Sequence, residues 1–127
     1  MAESTKKFVV DASIVLSVLL PDEKVLAHYT KYLKLFQIGK IQFIAPEILK
    51  YEVANGLRSA FRQDRISKEL VSELYASFQK MTFIFEQIDY IEVLKLSTNQ
   101  DLTFYDAAYV YLVKSNKCRL LTLDTSL

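Results

Sequence analysis

Short apolar runs alternate along this chain with segments whose apolar residues recur at helical spacing. Phe8-Val9-Val10 is such a run, closed by Asp11, and has the pattern of a buried strand. Ser13 is placed to cap a helix over 14–20, which Pro21 stops. A second helix, about 22–38, carries Val25, Leu26, Tyr29, Leu33 and Phe36 on one side and ends at Gly39. Residues 41–45 form the next strand, and Pro46 suits the first turn of a helix running to about 62. Ser67 caps a helix to about 80, and the β-branched and aromatic run 82–85 predicts a third strand. Helices over 89–100 and 103–115 follow, then a last strand over 119–123 ending at Asp124. Strands alternating with helices specify an α/β layered fold with a mainly parallel, four-stranded sheet. Residues 1–6 are expected to be a flexible tail, and 7–127 a single domain.

Composition narrows this picture only slightly. Half of the 127 residues are hydrophobic and only two are Gly and two Pro, which excludes a disordered chain. Net charge is +1, so any electrostatic footprint for nucleic acid must be local. The single cysteine, Cys118, excludes an internal disulfide and fits a reducing, cytoplasmic setting. No apolar run is long enough to cross a membrane, so no membrane partner is expected.

The informative feature is where the acids fall. Residues 102–113 predict a helix that is apolar or aromatic on nearly every side, with Asp106 as its only charge. The helix dipole contributes roughly 0.3–1 kcal/mol to a carboxylate there, less than the several kcal/mol lost when an ion leaves water. A cation, a metal or a water-filled cleft is needed beside it. Asp11 and Asp124 each follow a strand, where parallel sheets bind ligands, although an ordinary turn or cap role explains either one alone. On a wheel of 47–61, Glu52 falls within the apolar face of Ile48, Leu49, Val53, Gly56, Leu57 and Ala60. It faces either an interior site or a rim that reaches water. No Lys or Arg lies in the apolar stretches around Asp11 or Asp106. Converging carboxylates without bases repel one another unless a hard divalent cation neutralises them, and oxygen ligands favour Mg²⁺ or Mn²⁺.

Four segments together resemble the PIN-domain family of metal-dependent ribonucleases, which includes the VapC toxins. They are Val10-Asp11-Ala12-Ser13-Ile14, Tyr51-Glu52-Val53-Ala54-Asn55-Gly56-Leu57, Leu102-Thr103-Phe104-Tyr105-Asp106-Ala107-Ala108-Tyr109 and Leu121-Thr122-Leu123-Asp124. The resemblance spans nearly the whole chain. It implies a three-layer α/β/α fold and cleavage of single-stranded RNA with Mg²⁺ or Mn²⁺. Asp11, Glu52 and Asp106 would hold the cation, and Asp124 would complete a second site or orient the nucleophile. Ser13 and Asn55 would hydrogen-bond the carboxylates. The family usually continues into a fifth, edge strand, whereas this sequence stops at Leu127, so four strands are expected. The resemblance also implies an antitoxin partner. A catalytically weak RNA- or protein-binding module on the same fold is the alternative.

Other features have bland explanations beside functional ones. Arg58, Arg62 and Arg65 recur at i, i+4 and i+7 and could follow an RNA backbone, or form a solvated face. His28 has no companion that would complete a catalytic dyad, and Cys118 reads as a small buried hydrophobe. The tyrosines are expected in core or dimer packing, with base stacking as the other option. The apolar faces of 25–36 and 70–78 predict a homodimer or an antitoxin-type partner seated on those helices.

Overall fold

In the computed structural model, which describes residues 5–127, ten elements follow one another. They are β1 (Lys6–Val10), α1 (Ala12–Leu19), α2 (Ala27–Gln37), β2 (Ile41–Pro46), α3 (Ile48–Arg62), α4 (Lys68–Gln79), β3 (Ile84–Glu86), α5 (Tyr90–Gln100), α6 (Phe104–Asn116) and β4 (Arg119–Leu121). The sheet has the order β3-β2-β1-β4, and every pairing is parallel. Phe8 lies between Phe43 of β2 and Arg119 of β4. Lys6, assigned to the tail by its composition, is the first residue of β1. The rest of the expected tail, 1–4, lies outside the described residues.

Strand alternation divides the core into two faces. Phe8, Val10, Phe43 and Ala45 point into a cluster with Ile14 and Val15 of α1, Leu49, Val53 and Leu57 of α3, and Phe78 of α4. Val9 and Ile44 point the other way, onto Tyr109 and Leu112 of α6. Ala107 and Ala108 of α6 close on Val93 of α5. This gives the expected three layers, helices on both faces of a parallel sheet. Among the described residues, no helix is long and apolar enough to cross a membrane.

Several local expectations are corrected. Helix α1 is capped by Asp11 rather than Ser13, because the Asp11 carboxylate accepts from the Ser13 N–H. Helix α2 begins at Ala27, not 22, since Arg65 grips Asp22 in the loop before it. Pro46 ends β2, where it pairs with Glu86, instead of opening α3. The third strand covers 84–86 and not 82–85. Strand β4 stops at Leu121, so Asp124 stands three residues beyond its end. Helix α6 is not buried all round: Ala107, Ala108, Tyr109 and Leu112 are enclosed, whereas Tyr105 is 56% exposed and Asp106 partly exposed. As an outer-layer helix it meets the sheet and α5 on one side and solvent on the other.

Candidate active site

Strand order reverses at β1, whose outgoing crossover leads to β2 while β4 packs on its other edge. The crevice beyond the carboxyl ends of β1 and β4 is where such sheets place ligands. Asp11 stands there, immediately after β1. It is only 6% exposed and yet every donor around it is neutral. Ser13 donates to Oδ1 through its N–H at 3.1 Å and its hydroxyl at 2.6 Å, and the Thr122 hydroxyl donates to Oδ2. Ser13 Oγ in turn accepts from the Leu123 N–H at 2.8 Å. The Thr122 carbonyl accepts from the Tyr29 hydroxyl of α2 at 2.7 Å, which fixes the chain just past β4. Burial pushes the Asp11 carboxyl above its ordinary 3.8, and these hydrogen bonds only moderate the rise.

Glu52 arrives from α3. The helix turns Leu49, Val53, Leu57 and Ala60 into the core, and Glu52 emerges half-buried at the edge of that face. Its Oε1 accepts a 2.5 Å hydrogen bond from the Tyr109 hydroxyl. Burial raises its pKa first. Tyr109 lowers it, and the charges of Asp11 and Asp106 raise it further. Tyr109 is pushed upward too, by burial, by its bond to Glu52 and by Asp11 and Asp106, so it stays a protonated donor. Asp106 lies one turn before Tyr109 in the first turn of α6, where Thr103 caps the helix by accepting from the Asp106 N–H at 3.0 Å. The charges of Asp11 and Asp106 both act on Glu52, so the three acids share one region of the molecule. No Lys, Arg or His pairs with any of them among the described residues.

The other expected residues fall elsewhere. Asp124 is exposed, and its Oδ1 accepts from the hydroxyl and N–H of Ser126 at 2.7 and 3.0 Å, which holds its carboxyl below the usual range. Thr122, not Asp124, is the residue that β4 delivers to Asp11, because the strand ends sooner than its apolar run. Asn55 is exposed, and the hydrogen bonds to Asp11 and Glu52 come from Ser13, Thr122 and Tyr109 instead. Arg58 and Arg62 are exposed on α3, whereas Arg65 lies past the end of that helix. Its guanidinium bonds both oxygens of Asp22 at 2.8 and 2.9 Å and stands 3.8 Å from Glu23. His28 is exposed and lies against the Tyr29 ring, and Cys118 is half-buried with its thiol pushed up by burial.

Among the described residues, no three His, Cys, Asp or Glu side chains stand close enough to cage an ion directly. The donor set still suits one kind of guest. It offers carboxylate oxygens alone, without competing cations, and Mg²⁺ is usually held through one or two carboxylates and retained waters. Zn²⁺ is disfavoured by the lack of nitrogen or sulfur ligands.

Sequence comparison decides the family. The profile of the PIN domain matches residues 8–127, almost the entire described chain. The chain belongs to the PIN-domain family. This PIN domain is 32% identical over 130 residues to "Ribonuclease VapC3" of Pyrobaculum aerophilum, covering 95% of this chain and 92% of that relative. It is 29% identical over 101 residues to "Exonuclease VapC9" of the same organism, covering 80% and 73%. Among solved structures, PAE2754 from Pyrobaculum aerophilum superposes with a TM-score of 0.71 at 27% identity, covering 94% of this chain and 76% of that one. VapC20 of Mycobacterium tuberculosis, described as a sarcin–ricin loop cleaving toxin, superposes with a TM-score of 0.67 over 93% and 90% of the two chains. At 12% identity, that last likeness speaks for the fold alone.

Proposed function

We propose that this PIN domain is a Mg²⁺- or Mn²⁺-dependent endoribonuclease and the toxin of a VapBC-type toxin–antitoxin pair. The observation that carries the reading is that Asp11 and Glu52 accept side-chain hydrogen bonds only from neutral donors while the charges of Asp11 and Asp106 both act on Glu52. The name of its relative "Ribonuclease VapC3" supports RNA as the substrate. Asp11, Glu52 and Asp106 would hold the cation, directly or through water, and Asp124 would complete a weaker second site once released from Ser126. When bound, such an ion polarises the scissile phosphate and lowers the pKa of a water. Ser13 and Thr122 keep the Asp11 carboxylate turned into the crevice, as partners of ligands commonly do. Arg58 and Arg62 meet the RNA backbone along the exposed side of α3.

Asp11→Asn or Asp106→Asn abolishes cleavage of single-stranded RNA in Mg²⁺, and unchanged cleavage by either variant overturns the mechanism. Since one relative is named a ribonuclease and another an exonuclease, a circular RNA substrate separates the two modes. An endonuclease linearises it and an exonuclease leaves it intact.

The release that Asp124 needs favours a second reading, a catalytically weak binding module on the same fold. Mn²⁺ titration discriminates, because such a module shows no carboxylate-dependent stabilisation by metal. For partners, a cleft of about 580 Å³ between α1, α2 and α4, lined by Val18, Leu33, Phe36, Leu74 and Met81, offers an apolar seat to an antitoxin segment. Most of the apolar residues of α2 and α4 pack on the core instead of facing solvent. A homodimer therefore draws better on Tyr51, Tyr90, Ile91, Leu94 and Tyr105, which are the more exposed. Light scattering at micromolar concentration checks it, and a monomer there overturns the homodimer.

A further inference from the structure

Tyr109 is one of the most enclosed side chains of the molecule, at 1% exposure, and it contributes to the α6 side of the core beside Leu112. Packing alone calls for Phe at such a position, because a buried hydroxyl is costly unless it is bonded. The hydroxyl is bonded, and its acceptor is a carboxylate from the opposite helical layer. Tyr109 rises from α6 on one face of the sheet and Glu52 descends from α3 on the other, so their 2.5 Å bond spans the carboxyl end of the sheet. Asp106 precedes Tyr109 by one helical turn and lies on the same side of α6. The small Ala107 and Ala108 between them are fully buried and bring this turn close to α5.

We infer that Tyr109 is a positioning residue for the cation site, fixing the Glu52 carboxylate in the arrangement in which it shares a cation with Asp11 and Asp106. The inference rests on the reading of these acids as a metal site. A neutral donor is what the task requires. A Lys or Arg at this place would also hold Glu52, but it would neutralise the carboxylates and compete with the incoming ion. The phenol occupies one oxygen of Glu52 and leaves its charge uncompensated. The Ser13 and Thr122 hydroxyls do the same for Asp11, so both enclosed acids are oriented without being neutralised.

The test is a Mn²⁺ titration, with free Mn²⁺ read by electron paramagnetic resonance, on the wild type, Tyr109→Phe, Glu52→Gln and the double variant. No RNA is involved. Tyr109→Phe is expected to weaken Mn²⁺ binding by about tenfold or more, with an unchanged far-ultraviolet circular dichroism spectrum, the usual consequence of removing a ligand's partner. In the Glu52→Gln background the same substitution is expected to cost nothing further, because Tyr109 acts through Glu52. Wild-type affinity in Tyr109→Phe overturns the proposal, as does an equal loss in both backgrounds, which marks a packing effect. A wild type that takes up no Mn²⁺ overturns the metal reading itself, and the two failures are thus told apart. Should Tyr109→Phe not fold, wild-type protein labelled with ¹³C at the tyrosine ζ carbon is titrated with Mg²⁺. The Tyr109 resonance then moves in step with binding, and a stationary resonance overturns the proposal.

Discussion

Asp11 and Glu52 are ionisable groups held where their charge is disfavoured, which gives the metal-free protein a defined response to pH. Both carboxyls are raised above their ordinary 3.8 and 4.5 by burial, and Glu52 also by its acidic neighbours. Below those ordinary values both groups are protonated whether the chain is folded or not, and they contribute nothing. As pH rises past them the unfolded chain ionises first, so the folded state binds more protons and stability falls until the raised folded values are passed. Asp22, bonded to Arg65, and Asp124, bonded to Ser126, are lowered and run the opposite way. Their support is present above 3.8 and is lost as pH falls through their folded values. Glu52→Gln isolates one contribution, since the amide oxygen can still accept from Tyr109. Thermal melts of the metal-free variant are expected to rise a few degrees above wild type at pH 7 and to converge with it near pH 4. Mn²⁺ at pH 7 is expected to raise the wild-type midpoint and not that of the variant.

The hydroxyls around Asp11 yield a second test at this scale. Thr122→Val keeps the volume of the side chain but removes the donor to Oδ2. RNA cleavage is expected to drop at least tenfold while the melting temperature shifts by a few degrees at most. A kinetic profile matching wild type would falsify the role assigned to Thr122. Asp11, Glu52 and Asp106 were each legible in the sequence because an acid among apolar residues is itself a signal. Thr122 and Tyr109 were less so. A Thr after a strand and a Tyr in an apolar helix are ordinary until the facing residue is known, and Asp11 and Glu52 lie 111 and 57 positions away.

At the scale of elements, apolar periodicity reveals which segments are helices and strands, because burial on one face enforces it. The ends of elements depend on partners distant in the chain. Helix α2 starts late because Arg65 draws Asp22 into a loop, and β4 ends early because Thr122 turns to Asp11 and Tyr29. The contact between α1 and α3 also depends on one residue that spacing does not explain. A Cβ at Gly56 would run into the end of the Leu16 side chain, so the glycine lets the two helices approach. Gly56→Ala sets a helix-propensity gain of about 1 kcal/mol against a shift of the Leu16 side chain, and is expected to be close to neutral. Gly56→Val exceeds what Leu16 can yield and is expected to lose about 1–3 kcal/mol in urea denaturation. Adding Leu16→Ala should recover part of that loss, and strict additivity of the two substitutions would exclude the contact as its cause.

Across the whole molecule, positive charge matters by location, since the net charge is only +1. Three arginines at helical spacing suggested one stripe, but the helix ends at Arg62 and Arg65 is committed to the loop between α1 and α2. Arg65 thereby ties the segment after α3 to the segment after α1, and its charge is already answered by Asp22 and Glu23. Arg58 and Arg62 keep exposed positions on the helix that carries Glu52. Each phosphate contact adds roughly 0.7 to the slope of log affinity against log salt for single strands. An Arg58→Ser, Arg62→Ser double variant should therefore bind single-stranded RNA more weakly and reduce that slope by about 1.4, two contacts' worth. Arg65→Ser should leave the slope unchanged and instead loosen the loop, seen as faster amide exchange at residues 22–26. Measured in Ca²⁺ with the Asp11→Asn protein, the binding assay is free of cleavage, so the slopes report contact with the backbone alone. A slope that falls with Arg65 and not with Arg58 and Arg62 would reverse the assignment of the basic surface from α3 to the loop beyond it.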